Sequence, residues 1–172
     1  GGTAGSDVLD QNLCYNPVTK KWTVKAAMPT KRRYFTAATI GGKIYVIGGI
    51  GQGGGLLSTM LCYDPNTDGW SVKADIPTAR SYLSSSVISD KIYVIGGSGA
   101  GGAVNANECY DPNTDSWSVK ADMLNARRYH TSSAINGKIY VIGGNVGSVT
   151  SSANECYDPN TDVWSVKADM PT

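Results

Sequence analysis

Histidine occurs once in the 172 residues, at His130. With no Ser or Cys assignable to it as a nucleophile, it makes no catalytic pair. A lone imidazole is more often packed or solvated than catalytic, even with its switchable charge. Net charge is nearly absent, at +1, which removes any strong pull toward nucleic acid or a membrane surface. No stretch approaches the roughly 18 apolar residues of a membrane span, and the chain opens on no signal peptide. Acidic residues are missing between Gln11 and Leu61, a segment with seven basic ones: Lys20, Lys21, Lys25, Lys31, Arg32, Arg33 and Lys43. Paired cysteines are lacking too. Cys14, Cys62, Cys109 and Cys156 show no Cys-x-x-Cys spacing and no His partner, which excludes the usual zinc patterns. Unpaired thiols tilt the localisation toward a reducing, cytoplasmic compartment without fixing it. Glycine, by contrast, fills 21 positions, and 41% of residues are hydrophobic. Such a chain is too apolar for disorder and too rich in glycine for a helical fold.

What is abundant is repetition. Trp22, Trp70, Trp117 and Trp164 lie 48, 47 and 47 residues apart, and the four cysteines keep the same spacing, as do Tyr15, Tyr63, Tyr110 and Tyr157. Lys-Ile-Tyr-Val-Ile-Gly-Gly begins at Lys43, Lys91 and Lys138. Between Asn107–Met123 and Asn154–Met170 only Ser116 against Val163 differs. A period of this length marks stacked supersecondary units.

Each unit reads as four short strands. The first is a small-residue segment such as Tyr129 to Ile135. A tight turn follows at Gly41–Gly42, Ser89–Asp90 or Asn136–Gly137, the last a strong hairpin signal. The second strand, such as Ile139 to Ile142, is β-branched and aromatic, fit for burial on both faces. It ends in Gly-Gly, where the backbone must turn sharply or pass very close to a neighbour. A variable loop leads to a third strand ending in Glu-Cys-Tyr. Asp-Pro-Asn-Thr turns the chain, and Trp-Ser-Val-Lys is the fourth strand. A buried Trp removes about 200 Å² from water, worth up to roughly 5 kcal/mol, so one Trp per unit is expected to hold each unit against the next.

Four strands, a Gly-Gly after the second, then a Tyr, then a Trp six or seven residues after the Tyr (Gly96, Gly97, Tyr110 and Trp117, with their equivalents) resemble the kelch family over nearly the whole chain. The resemblance implies an all-β fold of kelch-type β-propeller blades, each of four antiparallel strands. Function is less specified, because propellers host many activities. Gly1–Gly2 reads as the end of a second strand, so 1–29 is a half blade of strands three and four. Complete blades are expected at 30–77, 78–124 and 125–172: about three and a half in all. Since closure takes about 4–8 blades, open edges are expected. They would be covered by the remaining blades of a longer propeller, or by self-association of copies into a ring. The longer propeller fits better, because half blades at opposite ends do not obviously complete each other.

Several chemical readings fall away. Cysteines at equivalent places in successive blades lie too far apart for a disulfide and read as small buried hydrophobes of strand three. Asp64-Pro-Asn66-Thr-Asp68-Gly69, with Asp75 beyond, has the oxygen spacing of a calcium loop, yet Pro65 stiffens it, no helices flank it, and Lys20 breaks the first copy. It reads as a turn. Gly51-Gln-Gly-Gly-Gly55 lacks the Lys-Ser/Thr of a phosphate loop. No cofactor or metal is therefore expected.

The variable loops after Gly-Gly, set on a nearly copied framework, form the best candidate binding surface. The segments before strand one join them on the same face: Arg32, Arg33 and Tyr34; Arg80, Ser81 and Tyr82; Arg127, Arg128, Tyr129 and His130. The kelch resemblance implies that these positions form the partner-binding rim. Arg beside Tyr suits an acidic peptide, since guanidinium bonds carboxylates in pairs and Tyr adds apolar area. The competing reading is that the repeated Arg and Tyr brace the blade, pairing with Asp75, Asp122 or Glu108. On that ground the unrepeated Arg33, Arg128 and His130 are the better functional candidates. The expected function is a protein- or peptide-binding scaffold. The alternative is a fragment of a cofactor-free kelch enzyme acting on sugars, of epimerase or mutarotase type. Copper oxidases of the family are excluded because one His cannot supply their ligands.

Overall fold

A computed structural model describes residues 1–171 as an all-β chain. Thr172, the last residue of the segment read as 125–172, lies outside the described residues. Three four-stranded antiparallel sheets follow one another. The first holds Thr36–Ile40, Lys43–Ile47, Met60–Asp64 and Gly69–Lys73. Ser84–Ile88, Lys91–Ile95, Asn107–Asp111 and Ser116–Lys120 form the second. The third holds Thr131–Ile135, Lys138–Ile142, Asn154–Asp158 and Val163–Lys167. In each, strands adjacent in the chain are adjacent in the sheet. Ahead of them stands a lone pair, Asn12–Asn16 with Lys21–Lys25. This is the three-and-a-half-blade pattern that the repeat implies.

The hairpins joining first and second strands turn on two residues of positive φ: Gly41 and Gly42 (57° and 72°), Ser89 and Asp90 (49° and 56°), Asn136 and Gly137 (50° and 72°). Those are the mirror-image turns whose twist matches the flanking strands. Register follows directly, with Ile40 opposite Lys43, Ile88 opposite Lys91 and Ile135 opposite Lys138. The variable loops hold more structure than expected. Gly2–Ala4 with Asp7–Leu9, Ser98–Gly99 with Gly102–Ala103, and Asn145–Val146 with Val149–Thr150 fold back as short ribbons.

Blades join through apolar layers drawn from two successive sheets. Tyr45, Ile47 and Cys62 meet Leu83, Ile92, Val94 and Tyr110; in the next layer Tyr93, Ile95 and Cys109 meet Ile139, Val141 and Tyr157. A polar clasp repeats at each junction. Trp70, Trp117 and Trp164 donate their indole N–H to the carbonyls of Ala26, Ala74 and Ala121 in the preceding unit, at 2.7, 2.8 and 2.7 Å. The same alanines donate their N–H to Asp68, Asp115 and Asp162 at 3.0, 3.0 and 2.9 Å. Each Trp thus holds its blade by a hydrogen bond as well as by area.

Two expectations need correction in the leading half blade. Trp22 is 65% exposed, and Cys14 is exposed whereas Cys62, Cys109 and Cys156 are buried. The cause is the same for both. Among the described residues no other unit lies against Trp22, and Asn12–Asn16 pairs with Lys21–Lys25 alone.

Candidate functional site

The rim is built by the glycine pairs. A Cβ on Gly49, Gly97 or Gly144 would stand 2.6 Å from the carbonyl oxygen of Arg33, Ser81 or Arg128 in its own blade. A Cβ on Gly48 would meet the Arg80 carbonyl of the next blade at 2.6 Å. Glycine at both positions lets the loop after strand two and the segment before strand one run side by side. Arg32–Arg33 pairs with Ile50–Gly51. Ser81 bridges to Ser98 and Arg128 to Asn145. The two sets of segments named from the sequence therefore share one face.

Within that face the candidate residues divide into two layers. Arg32, Arg80 and Arg127 are fully buried. Arg80 forms a short ion pair with Glu108 and donates to the Val94 carbonyl at 2.9 Å. Arg127 pairs with Glu155 at 2.9 Å and donates to the Ala153 carbonyl at 2.9 Å. Arg32 forms no ion pair among the described residues, because Leu61 stands where those blades carry Glu, and Asp75 acts on it only at longer range. Its guanidinium donates to the Thr59 carbonyl and hydroxyl, both at 2.9 Å, to the Gly48 carbonyl at 3.1 Å and to the Thr30 hydroxyl at 2.6 Å. Burial lowers its pKa to about 10, so it stays charged at neutral pH. All three brace the blade from inside. Of the acids named as possible partners, Glu108 is used, while Asp75 accepts from Ser58.

The outer layer is Tyr34, Tyr82 and Tyr129 with Arg33, Ser81 and Arg128. The three tyrosines stack in file, their ring centroids 4.3 and 4.4 Å apart. Their backbones lie at φ of 57°, 54° and 60°, the left-handed region that a bulky residue rarely enters. What holds them there is a hydrogen-bond chain from blade to blade: Tyr82 N–H to the Tyr34 carbonyl at 2.9 Å, and Tyr129 N–H to the Tyr82 carbonyl at 3.2 Å. This geometry also delays strand one, which begins at Thr131 rather than Tyr129. Tyr34 and Tyr129, at the two ends of the file, are exposed. Tyr82, between them, has its hydroxyl pushed up to about 12, first by burial and then by Tyr129, so it remains a donor. Arg33 lies 5.2 Å from the Tyr34 ring centroid and Arg128 5.3 Å from that of Tyr129. Neither forms an ion pair among the described residues, and each Nε is buried without a partner.

His130 lies under the rim, not on it. It is 8% exposed and fills the position that Phe35 and Leu83 fill in the other blades. Nε2 lies 3.2 Å from the Ile95 carbonyl, and burial, aided by the Arg127 charge, lowers the pKa to about 4. The ring is neutral packing at physiological pH. One feature escaped the sequence reading: a depression of about 430 Å³ beside the rim, lined by Asp10, Pro29, Thr30, Lys31, Gln52 and Leu57. Its walls come from separate loops of two units, so no local motif announces it. In the segment with calcium-loop spacing, Asp64 accepts from Asn66 N–H and pairs with Lys43, and Asp68 accepts from Ala26 N–H in the clasp.

Glycine-built rims on sheets stacked blade against blade define successive blades of a β-propeller. The family model described as the KLHDC2/KLHL20/DRC7 Kelch-repeats domain matches residues 1–170, and the chain belongs to that kelch-repeat family. No curated protein matches the sequence significantly.

Proposed function

We propose that the chain binds a protein or peptide carrying acidic side chains on the rim formed by Arg33, Tyr34, Ser81, Tyr82, Arg128 and Tyr129. The observation that carries the reading is the pair of guanidinium groups without acid partners, one at each end of the tyrosine file. Guanidinium bonds carboxylate with two parallel hydrogen bonds, and stacked tyrosines offer apolar area at small entropic cost. Arg32, Arg80 and Arg127 support the rim from below, and His130 packs beneath it. The sugar-enzyme alternative draws no support from His130, whose imidazole is enclosed. We also read the arc as extended, either by further blades of a longer chain or by other copies.

Panning a random peptide library against the immobilised chain tests the rim. Enrichment of peptides rich in Asp and Glu, released by raised salt, is expected. Enrichment without acidic bias would overturn the reading.

A further inference from the structure

A second depression, of about 320 Å³, lies between the first and second four-stranded sheets and shares no residue with the rim. Lys43, Tyr45, Ser71 and Lys73 of the first sheet line one side, and Pro112 and Asn113, in a turn of the second, line the other. Two ammonium groups stand there against one carboxylate, that of Asp64. Lys43 spends one of its three donors on Asp64, at 3.1 Å. Lys73 forms no ion pair among the described residues. Its charge acts at longer range on Asp115, which already accepts from the Ala74 N–H at 3.0 Å and the Tyr110 hydroxyl at 2.7 Å. The Tyr45 hydroxyl is pushed up to about 12, first by burial and then by Cys62, so it keeps its proton.

Repetition explains part of this lining structurally, since the Lys43–Asp64 pair recurs as Lys91–Asp111 and Lys138–Asp158. Two features set this junction apart from the next. Thr23, Ser118 and Ser165 turn their hydroxyls onto the carbonyls of Cys14, Cys109 and Cys156, at 3.3, 3.5 and 3.4 Å. Ser71 stands opposite Cys62 in the same register, yet its hydroxyl makes no such bond among the described residues. The hairpin turn at the lip is Gly41–Gly42, without a charge, where the second sheet turns through Ser89–Asp90 and brings a carboxylate. This cleft therefore holds a free ammonium and a free hydroxyl with no acid at its lip. It has no arginine. Lysines are point charges suited to a compact oxyanion, whereas a planar carboxylate is matched better by a guanidinium fork.

We infer that the cleft between the first and second sheets binds phosphate, free or as the phosphoryl group of a small molecule, with Lys43 and Lys73 balancing its charge and Ser71 and Tyr45 supplying donors. The site is separate from the rim in place and in chemistry. Arginines beside tyrosines face carboxylates there, and lysines beside hydroxyls face a phosphate here.

Amide shifts of the isotope-labelled whole chain, followed as inorganic phosphate is added at constant ionic strength, test it, with acetate as the matched control. Saturable shifts are expected at Gly41, Ser71, Lys73 and Asn113. K73M should weaken binding about tenfold or more, the effect of one charge-assisted hydrogen bond. S71A should weaken it by a smaller factor and leaves the charges in place. K120M, the same change in the next sheet, and R33A/R128A, at the rim, should both leave it unchanged. Glycerol phosphate distinguishes the sources: tighter binding than inorganic phosphate assigns the site to a phosphorylated small molecule, and equal binding to phosphate itself. Shifts that never saturate, acetate as effective as phosphate, or wild-type affinity kept in K73M or in S71A would each overturn the inference. So would K120M as damaging as K73M. Phosphate binding lost in R33A/R128A would overturn it too, by placing the anion at the rim.

Discussion

Burying a guanidinium is costly unless its charge and donors are answered, and this chain does so three times in two ways. Arg80 and Arg127 use Glu108 and Glu155; Arg32 uses threonine oxygens and backbone carbonyls. E108L therefore should not reproduce the first blade, because Ala106 stands where Thr59 helps Arg32. The expected loss is roughly 3–5 kcal/mol in urea unfolding, the usual result of stranding one partner of a buried pair. R80M/E108L, which removes both charges, should recover most of it. That arginine recurs at this place is plain from the sequence. Whether it points in or out is not, because what receives it, a glutamate 28 residues on or a threonine 27 residues on, lies in another part of the blade. His130 was harder to read: its alignment with Phe35 and Leu83 was available, and its uniqueness masked it. Its pKa of about 4, against 6.5 for the free side chain, means the unfolded chain takes up a proton between those values that the fold refuses. Stability should be full above pH 6.5 and fall as pH drops toward 4. H130L should flatten that part of the curve in thermal melts at stepped pH, and an unchanged slope would contradict the assignment.

Hairpins are the elements the sequence announces best, since Gly-Gly and Asn-Gly name their turn type. Ser89–Asp90 takes the same turn with two side chains in the left-handed region, which costs about 1–2 kcal/mol per ordinary residue and less for Asp. Replacing it by Asn-Gly, as at Asn136–Gly137, should stabilise the chain by about 1 kcal/mol, read as a raised urea midpoint at unchanged slope. The tyrosine file shows the opposite case. Tyr34, Tyr82 and Tyr129 carry strand-forming side chains, so local preference extends strand one backwards through them. Inter-blade hydrogen bonds and ring stacking override it, and no local pattern encodes contacts between residues 47 and 48 positions apart.

At the scale of the whole molecule, the 47-residue period made the stacked blades and the leading two-stranded pair legible at once. What it concealed was that equal positions need not be equally buried. Trp22 and Cys14 repeat their counterparts in sequence but lack the neighbours that cover them. Under native conditions one thiol of the four, Cys14, should react rapidly with a disulfide reagent, the other three only on unfolding. Four fast thiols would mean that the blades open readily. The rim and the braces beneath it also divide the labour. The buried arginines brace the fold, and the outer layer is the surface proposed to meet a partner.

That division is tested most directly by the affinity of R33A/R128A for an acidic peptide selected on the wild-type chain, with thermal unfolding of the same protein measured alongside. The predicted result is at least a tenfold loss of affinity, as for lost charge-assisted bonds, at an unchanged melting temperature. Affinity kept at the wild-type level would contradict the rim as the binding surface, and affinity lost together with the melt would place Arg33 and Arg128 among the braces.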